Sequence, residues 1–190
     1  MADLCDNYLF VRGPVFEVEV FLMNHLDVKD PDGSAWLDLD SIIPYPERFR
    51  RLDEIAERWE AEHENDPAGD RPPQPEDGFN QGGGEWREEH WGTKWNTYAY
   101  EAGDFSWQLD DPQWGHAQLC FTTAWTPISK RVMLVLSCLY PGCTFELRYA
   151  ESEDRGRVRI HGGKTVVETR YPRRWTGSMN PPKDLLPRER

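Results

Sequence analysis

The most constraining stretch of this sequence runs from Gln118 to Tyr149. From Gln118 to Trp125 the side chains of Leu119, Phe121, Thr123 and Trp125 fall on one face of an extended chain, the two-residue period of a strand. Thr126-Pro127 then reads as a helix start, a cap followed by a first-turn proline. Ile128 to Leu139 is apolar on nearly all sides (Ile128, Val132, Met133, Leu134, Val135, Leu136), which predicts a well-buried helix ended by Pro141-Gly142. Thr144 to Tyr149 alternates again as a strand. Two strands joined by a helix buried on most sides form half of an α+β sandwich.

The N-terminal part supplies a second such unit. Asn7 to Arg12 is a short apolar strand stopped by Gly13-Pro14, and Val15, Val18, Leu22 and Leu26 recur at helical spacing, predicting a helix over 14–26. A partly alternating run, Trp36 to Ile43, predicts the second strand before Pro44-Tyr45-Pro46. Pro46 opens an amphipathic helix with Phe49, Leu52, Ile55, Ala56 and Trp59 inward and a solvated charged face outward. Near the other end, Arg157–Ile160 and Thr165–Tyr171 flank Gly162-Gly163, a hairpin signal. The fold class expected is α+β: a ferredoxin-like sandwich of two βαβ halves with a long acidic insertion and a C-terminal β-hairpin extension. One domain over 1–175 is expected, with the insertion at 62–86 between the halves, the hairpin at 155–171 and a tail at 176–190.

Residues 62–86 contain Pro67, Pro72, Pro73 and Pro75, end in Gly82-Gly83-Gly84 and are nearly free of apolar side chains. Such a segment cannot offset its own ordering entropy, so it reads as loosely held. The triple glycine lacks the Lys-Ser/Thr of a phosphate loop. Charge is uneven. From Glu60 to His90 ten acids oppose only Arg71 and Arg87, a local net of −8, whereas from Arg155 onward ten bases oppose three acids, a net of +7. Within a chain of net charge −12, this describes an acidic body with a basic C-terminal end, a pattern that bears on partners rather than on fold.

Six of the nine tryptophans (Trp86, Trp91, Trp95, Trp107, Trp114, Trp125) crowd into residues 86–125. A cluster like this marks a core or a contact surface. The structural role is favoured for Trp91, Trp95 and Trp125, with a partner surface as the alternative. No catalytic constellation stands out. Five scattered histidines and four cysteines show no paired metal-ligand spacing, so neither a metal nor a cofactor is expected. Cys120 and Cys138 sit in apolar patterns where thiols are inert, and no serine or cysteine occupies a nucleophile elbow. No run approaches a membrane span, and Met1 to Asp6 has no basic start or apolar run, so a cytoplasmic protein with reduced cysteines is expected.

Five blocks taken in order are more specific. They are Cys5-x-Asn7-x-Leu9-x-Val11-x-Gly13; Ile42-Ile43-Pro44-x-Pro46-Glu47; Trp91-Gly92-Thr93-Lys94-Trp95-Asn96; Phe121-x-Thr123-Ala124-Trp125-Thr126-Pro127; and Phe145-x-Leu147-x-Tyr149-x-Glu151. Together they resemble the YubB-like group of plasmid and phage proteins, over roughly residues 5–163. Ile128 stands where relatives often carry a second proline. The resemblance implies a ferredoxin-like fold and a mobile-element origin in a bacterial host, and carries no catalytic residues. It covers neither the acidic insertion nor the arginine-rich end.

Two functions compete at this point. The first is a non-enzymatic phage or plasmid accessory protein that binds a host protein or complex with a basic surface, in the manner of an inhibitor of a nucleic-acid-handling defence system such as a CRISPR or restriction assembly. Its surface would use Glu60, Glu62, Glu64, Asp66, Glu76, Asp77, Glu85, Glu88, Glu89, Trp91, Lys94 and Trp95. The second is a nucleic-acid-binding module that uses an aromatic sheet face and Arg155, Arg157, Arg159, Lys164, Arg170, Arg173 and Arg174. Phosphate repulsion by the acidic body disfavours it. Oligomeric state is left open.

Overall fold

A computed structural model describes residues 4–28, 34–67, 70–97, 103–109, 112–151 and 155–171. The tail at 176–190, with Arg173 and Arg174, lies outside the described residues. Eight strands form one sheet, and each neighbouring pair is antiparallel. In chain order the elements are β1 (Leu4–Pro14), α1 (Val15–His25), β2 (Leu26–Val28), β3 (Ser34–Leu37), α2 (Leu39–Ile42), α3 (Glu47–His63), a π-helical turn (Phe79–Gly83) and α4 (Gly84–Trp91). They continue with β4 (Gly103–Leu109), β5 (Trp114–Ala124), α5 (Lys130–Leu139), β6 (Thr144–Ala150), β7 (Arg155–His161) and β8 (Lys164–Tyr171).

The spatial order is β2-β3-β4-β5-β1-β6-β7-β8. At its centre, β4-β5-β1-β6 with helices α1 and α5 is the four-stranded frame of a ferredoxin-like domain. Alternation sorts the two faces. Leu9, Val11, Ala117, Leu119, Phe121, Phe145, Leu147, Val158 and Ile160 point to the helix side, where they meet Val18 and Phe21 of α1 and Val132, Met133 and Leu136 of α5. A sheet buried on one face only is what the two-residue period predicts.

Three expectations are corrected. The second strand of the first half is β4, not the run at 36–43. That run breaks after Leu37 because Asp38 caps a short helix, its Oδ1 accepting from Asp40 N at 3.0 Å. The insertion accordingly lies inside the first half, between α1 and β4, rather than between the halves. It contributes β2 and β3 to the sheet edge and carries α2, α3 and α4. Finally, α5 is capped by Ser129, whose Oγ accepts from Val132 N at 3.3 Å, instead of by Thr126.

Part of the segment 62–86 is firmly held, against the expectation of a loose insertion. Phe79 N donates to Asp53 Oδ1 of α3 at 2.9 Å, and Arg87 Nη2 meets Asp53 Oδ2 at 3.1 Å. The Arg87 guanidinium also lies 4.1 Å from the centre of the Tyr45 ring. Glycine makes this possible: a Cβ on Gly83 would sit 1.9 Å from Tyr45 Oη. The triple glycine is therefore a close-packing device, and the ordering entropy is offset by aromatic contacts that residues outside the segment supply.

Candidate functional site

The helix α4 and the loop after it carry half of the residues singled out for the partner surface, and the fold divides them sharply. Trp91, at the last position of α4, is 3% exposed. Its Nε1 donates to Ile43 O at 2.8 Å and its ring packs edge-on against Trp86 at 5.6 Å. It belongs to the core, which removes it from the partner surface proposed for it. Gly92 then ends the helix in the left-handed region at φ 83°, as a C-terminal glycine does. The turn brings Lys94 and Trp95 to the surface.

There the structure assembles a patch from four separate segments. Trp95 is 37% exposed and Trp125 is 40% exposed, with ring centroids 6.4 Å apart. Phe79 stacks parallel to Trp95 at 6.2 Å. Lys94 Nζ lies 4.0 Å from the centre of the Trp125 ring and 3.6 Å from Glu88 Oε1. Of the acidic residues, Glu85, Glu88 and Glu89 project into solvent from α4, and Glu76 and Asp77 flank the turn that carries Phe79. Glu76 and Asp77 are partly engaged locally, Glu76 Oε2 accepting from Gln81 Nε2 at 2.6 Å and Asp77 Oδ1 from Asn80 N at 2.6 Å. Glu60, Glu62, Glu64 and Asp66 are exposed at the far end of α3 and just beyond it. They stand roughly 10–20 Å along the chain axis from Asp53, where α3 grips the patch-bearing turn. The acidic block is thus two regions, one beside the tryptophans and one remote.

Trp125 has a backbone unlike any other non-glycine residue among those described, with φ at 64°. Thr126 N donates to Ala124 O at 2.8 Å across it, the three-residue γ-turn in its strained sense. The turn is pinned from both sides. Thr123 Oγ1 donates to Thr126 O at 2.6 Å and accepts from Asn7 Nδ2 at 2.8 Å, Ala124 N donates to Thr93 Oγ1 at 3.2 Å, and Thr126 Oγ1 donates to Gly92 O. Ser129 N donates to Trp91 O at 2.7 Å. Nothing in the sequence announces this geometry, because no glycine or asparagine marks the position.

The residues of the competing nucleic-acid reading also separate. Arg155, Arg157 and Arg159 share the open face of the sheet, Arg170 pairs with Gly156 and faces the helices, and Lys164 sits at the exposed hairpin turn. The alternation that places Arg170 on the helix side is fixed by Glu168, whose carboxylate meets Lys130 of α5 at 2.6 Å. Arg157 and Arg159 share one carboxylate. Glu146 of β6, missed in the sequence, accepts from Arg157 Nη2 at 2.8 Å, Arg159 Nε at 2.6 Å and Arg148 Nε at 2.7 Å. Arg148 also covers the Phe10 ring at 4.6 Å. The side chains of Glu146 and Arg148 are 8% and 7% exposed. Burial opposes the charge on Glu146, but the hydrogen bonds from Arg157, Arg148 and Arg159 outweigh it and hold the carboxyl below its usual range. The signal available in advance was Glu146 standing one strand from Arg157 and Arg159, legible only once the register was known.

Burial pushes the Cys5 and Cys143 thiols up to about 12. Cys120 is half-buried and also raised by burial, while Cys138 is exposed.

Comparison with known proteins bears on the frame. Residues 91–174 match the family model described as a ferredoxin-like domain in Api92-like protein. The fold is ferredoxin-like. Among solved structures, the chain is similar to the crystal structure of a protein api92 from Yersinia pseudotuberculosis, with a TM-score of 0.50 and 12% identity over 93% of this chain and 100% of that one. None of the curated proteins matches. The family model matched is that of Api92-like protein, and the matched region begins at Trp91, where the core tryptophan closes α4. No helix among the described residues is long and apolar enough to cross a membrane.

Proposed function

We propose that this chain is a non-catalytic accessory protein of a phage or plasmid that docks on the basic surface of a host complex built to handle nucleic acid. One observation carries the reading: outward-facing Trp95 and Trp125, with Lys94 on the Trp125 ring joined to Glu88 of α4, a helix that also exposes Glu85 and Glu89. A few rigid aromatic side chains beside a charged rim are the composition of a binding hot spot. Carboxylates next to them select a cationic partner and speed encounter with it. The resemblance of five sequence blocks to plasmid and phage proteins suggests the mobile-element setting, and a groove for a phosphate backbone is the basic surface such a partner would offer.

The test uses tagged protein to capture partners from a bacterial lysate, in parallel with an E85Q/E88Q/E89Q variant and with duplex DNA as competitor. A partner captured by the wild type should be lost from the variant, released steeply by salt, and displaced by the DNA. Retention of the same partner by the variant at the same salt would sink the acidic-surface reading.

A further inference from the structure

Trp125 combines two costs that a fold avoids unless something selects them. A bulky side chain at positive φ is held in a sparsely populated backbone region. The same side chain leaves a large apolar ring 40% exposed instead of packing it. Glycine would satisfy the γ-turn without strain. The turn is nonetheless fixed by hydrogen bonds that Asn7 and Thr123 donate and Thr93 accepts, so the ring is presented in one orientation and loses little freedom on binding. One cation already lies on this ring, Lys94 Nζ at 4.0 Å, tethered by Glu88.

We infer that Trp125 is the anchor of the docking surface and that its exposed ring receives an arginine side chain from a basic segment of the partner protein. The inference rests on the acidic-surface reading and names the chemistry of its occupant. Charge complementarity selects a cation, because the ring already holds the Lys94 ammonium, which Glu88 pairs at 3.6 Å, and Glu85 and Glu89 are exposed on the same helix as Glu88. The planar guanidinium stacks on an indole face, which an ammonium cannot do as well. Trp95 and Phe79 extend the same aromatic patch.

The experiment is a fluorescence titration of the full chain with a synthetic Gly-Arg repeat peptide, its Gly-Lys counterpart and an oligothymidylate, using wild type, W125G, W125F and E85Q/E88Q/E89Q. The arginine peptide should bind about tenfold more tightly than the lysine peptide, a preference that W125G abolishes and W125F largely keeps. W125G should also unfold at the same temperature as the wild type or higher, since glycine relieves the turn. A lowered unfolding temperature in W125G would show that the ring is structural and overturn the inference, as would unchanged arginine preference. Tight oligothymidylate binding that W125G abolishes would make the occupant a nucleobase and overturn it too. If the glutamine variant loses binding while W125G keeps it, the acidic surface stands and the anchor falls; the opposite pattern leaves the anchor and removes the surface charge.

Discussion

On the open face of the sheet Glu146 gathers Arg148, Arg157 and Arg159 around one carboxylate, whereas along α4 Glu85, Glu88 and Glu89 project into solvent, with Lys94 near Glu88. In sequence the first region is the basic end and the second the acidic body, and each looks like an advertisement for a partner of opposite charge. Only one of them offers its charge outward. The β-sheet register places Glu146 opposite Arg159 and Arg148 opposite Arg157, so much of the positive charge of the hairpin is spent internally. A helix surface has no such cross-strand neighbour, and its carboxylates face water. Net charge along a sequence counts groups; whether they are free depends on which strands become neighbours.

The contrast breaks most visibly at Glu146. Replacing it with glutamine leaves Arg148, 7% exposed, without its counter-charge, and an uncompensated buried charge costs on the order of 3–5 kcal/mol. Chemical unfolding of E146Q should show a loss of that size. A loss under about 1 kcal/mol would mean that the cluster is a surface network after all. Acid should reach the same group. The folded carboxyl of Glu146 sits below its usual value, so its stabilisation is full above the unfolded pKa of about 4.3 and is lost as pH falls through the lower folded value. A second group adds an earlier loss. Burial lowers the pKa of His25, opposed by Asp38; its Nδ1 bonds Ser41 Oγ at 2.8 Å and its Nε2 faces Tyr140 Oη at 2.9 Å. Being neutral in the fold, it costs stability as pH drops below about 6.5 toward its folded pKa. Stability against pH should therefore fall in two steps, and E146Q should flatten only the lower one. A single step that E146Q leaves unchanged would remove Glu146 from the account.

The frame was legible because its signals are local. The alternation at Gln118–Trp125, the apolar run of α5 and the Gly162-Gly163 turn each specify an element without reference to the rest. The strand β4 was not, since Gly-Asp-Phe-Ser-Trp-Gln-Leu packs only Phe105 and Trp107 against the core, both half-buried, and depends on pairing with β5 for its remaining stabilisation. Residues 79–86 failed for a different reason: composition forecast a loose segment over 62–86, but Tyr45, Phe49 and Asp53 earlier in the chain provide the surface that orders its last part. The tryptophans were visible as a group, and only the fold could divide them into core (Trp91) and surface (Trp95, Trp125). Strain at Trp125 has no sequence signature.

The smallest effect expected is also the one that separates the two acidic regions. Glu62 and Glu64 are exposed at the end of α3, away from the tryptophans, and Glu88 and Glu89 stand beside them. Neither pair is buried, so E62Q/E64Q and E88Q/E89Q should each change stability by no more than about 0.5 kcal/mol, measured by thermal or urea unfolding. Their consequences for association should differ. Steering acts over a Debye length of about 8 Å at physiological salt, so only charges near the contact hold the bound partner, while remote ones alter the rate of encounter. E88Q/E89Q should therefore speed dissociation of the arginine peptide, and E62Q/E64Q should slow its association at low salt and leave dissociation unchanged. Stopped-flow traces at two salt concentrations read both quantities. Equal effects of the two pairs on dissociation would mean that the partner spans the whole acidic face, and that the division drawn between its near and remote halves is false.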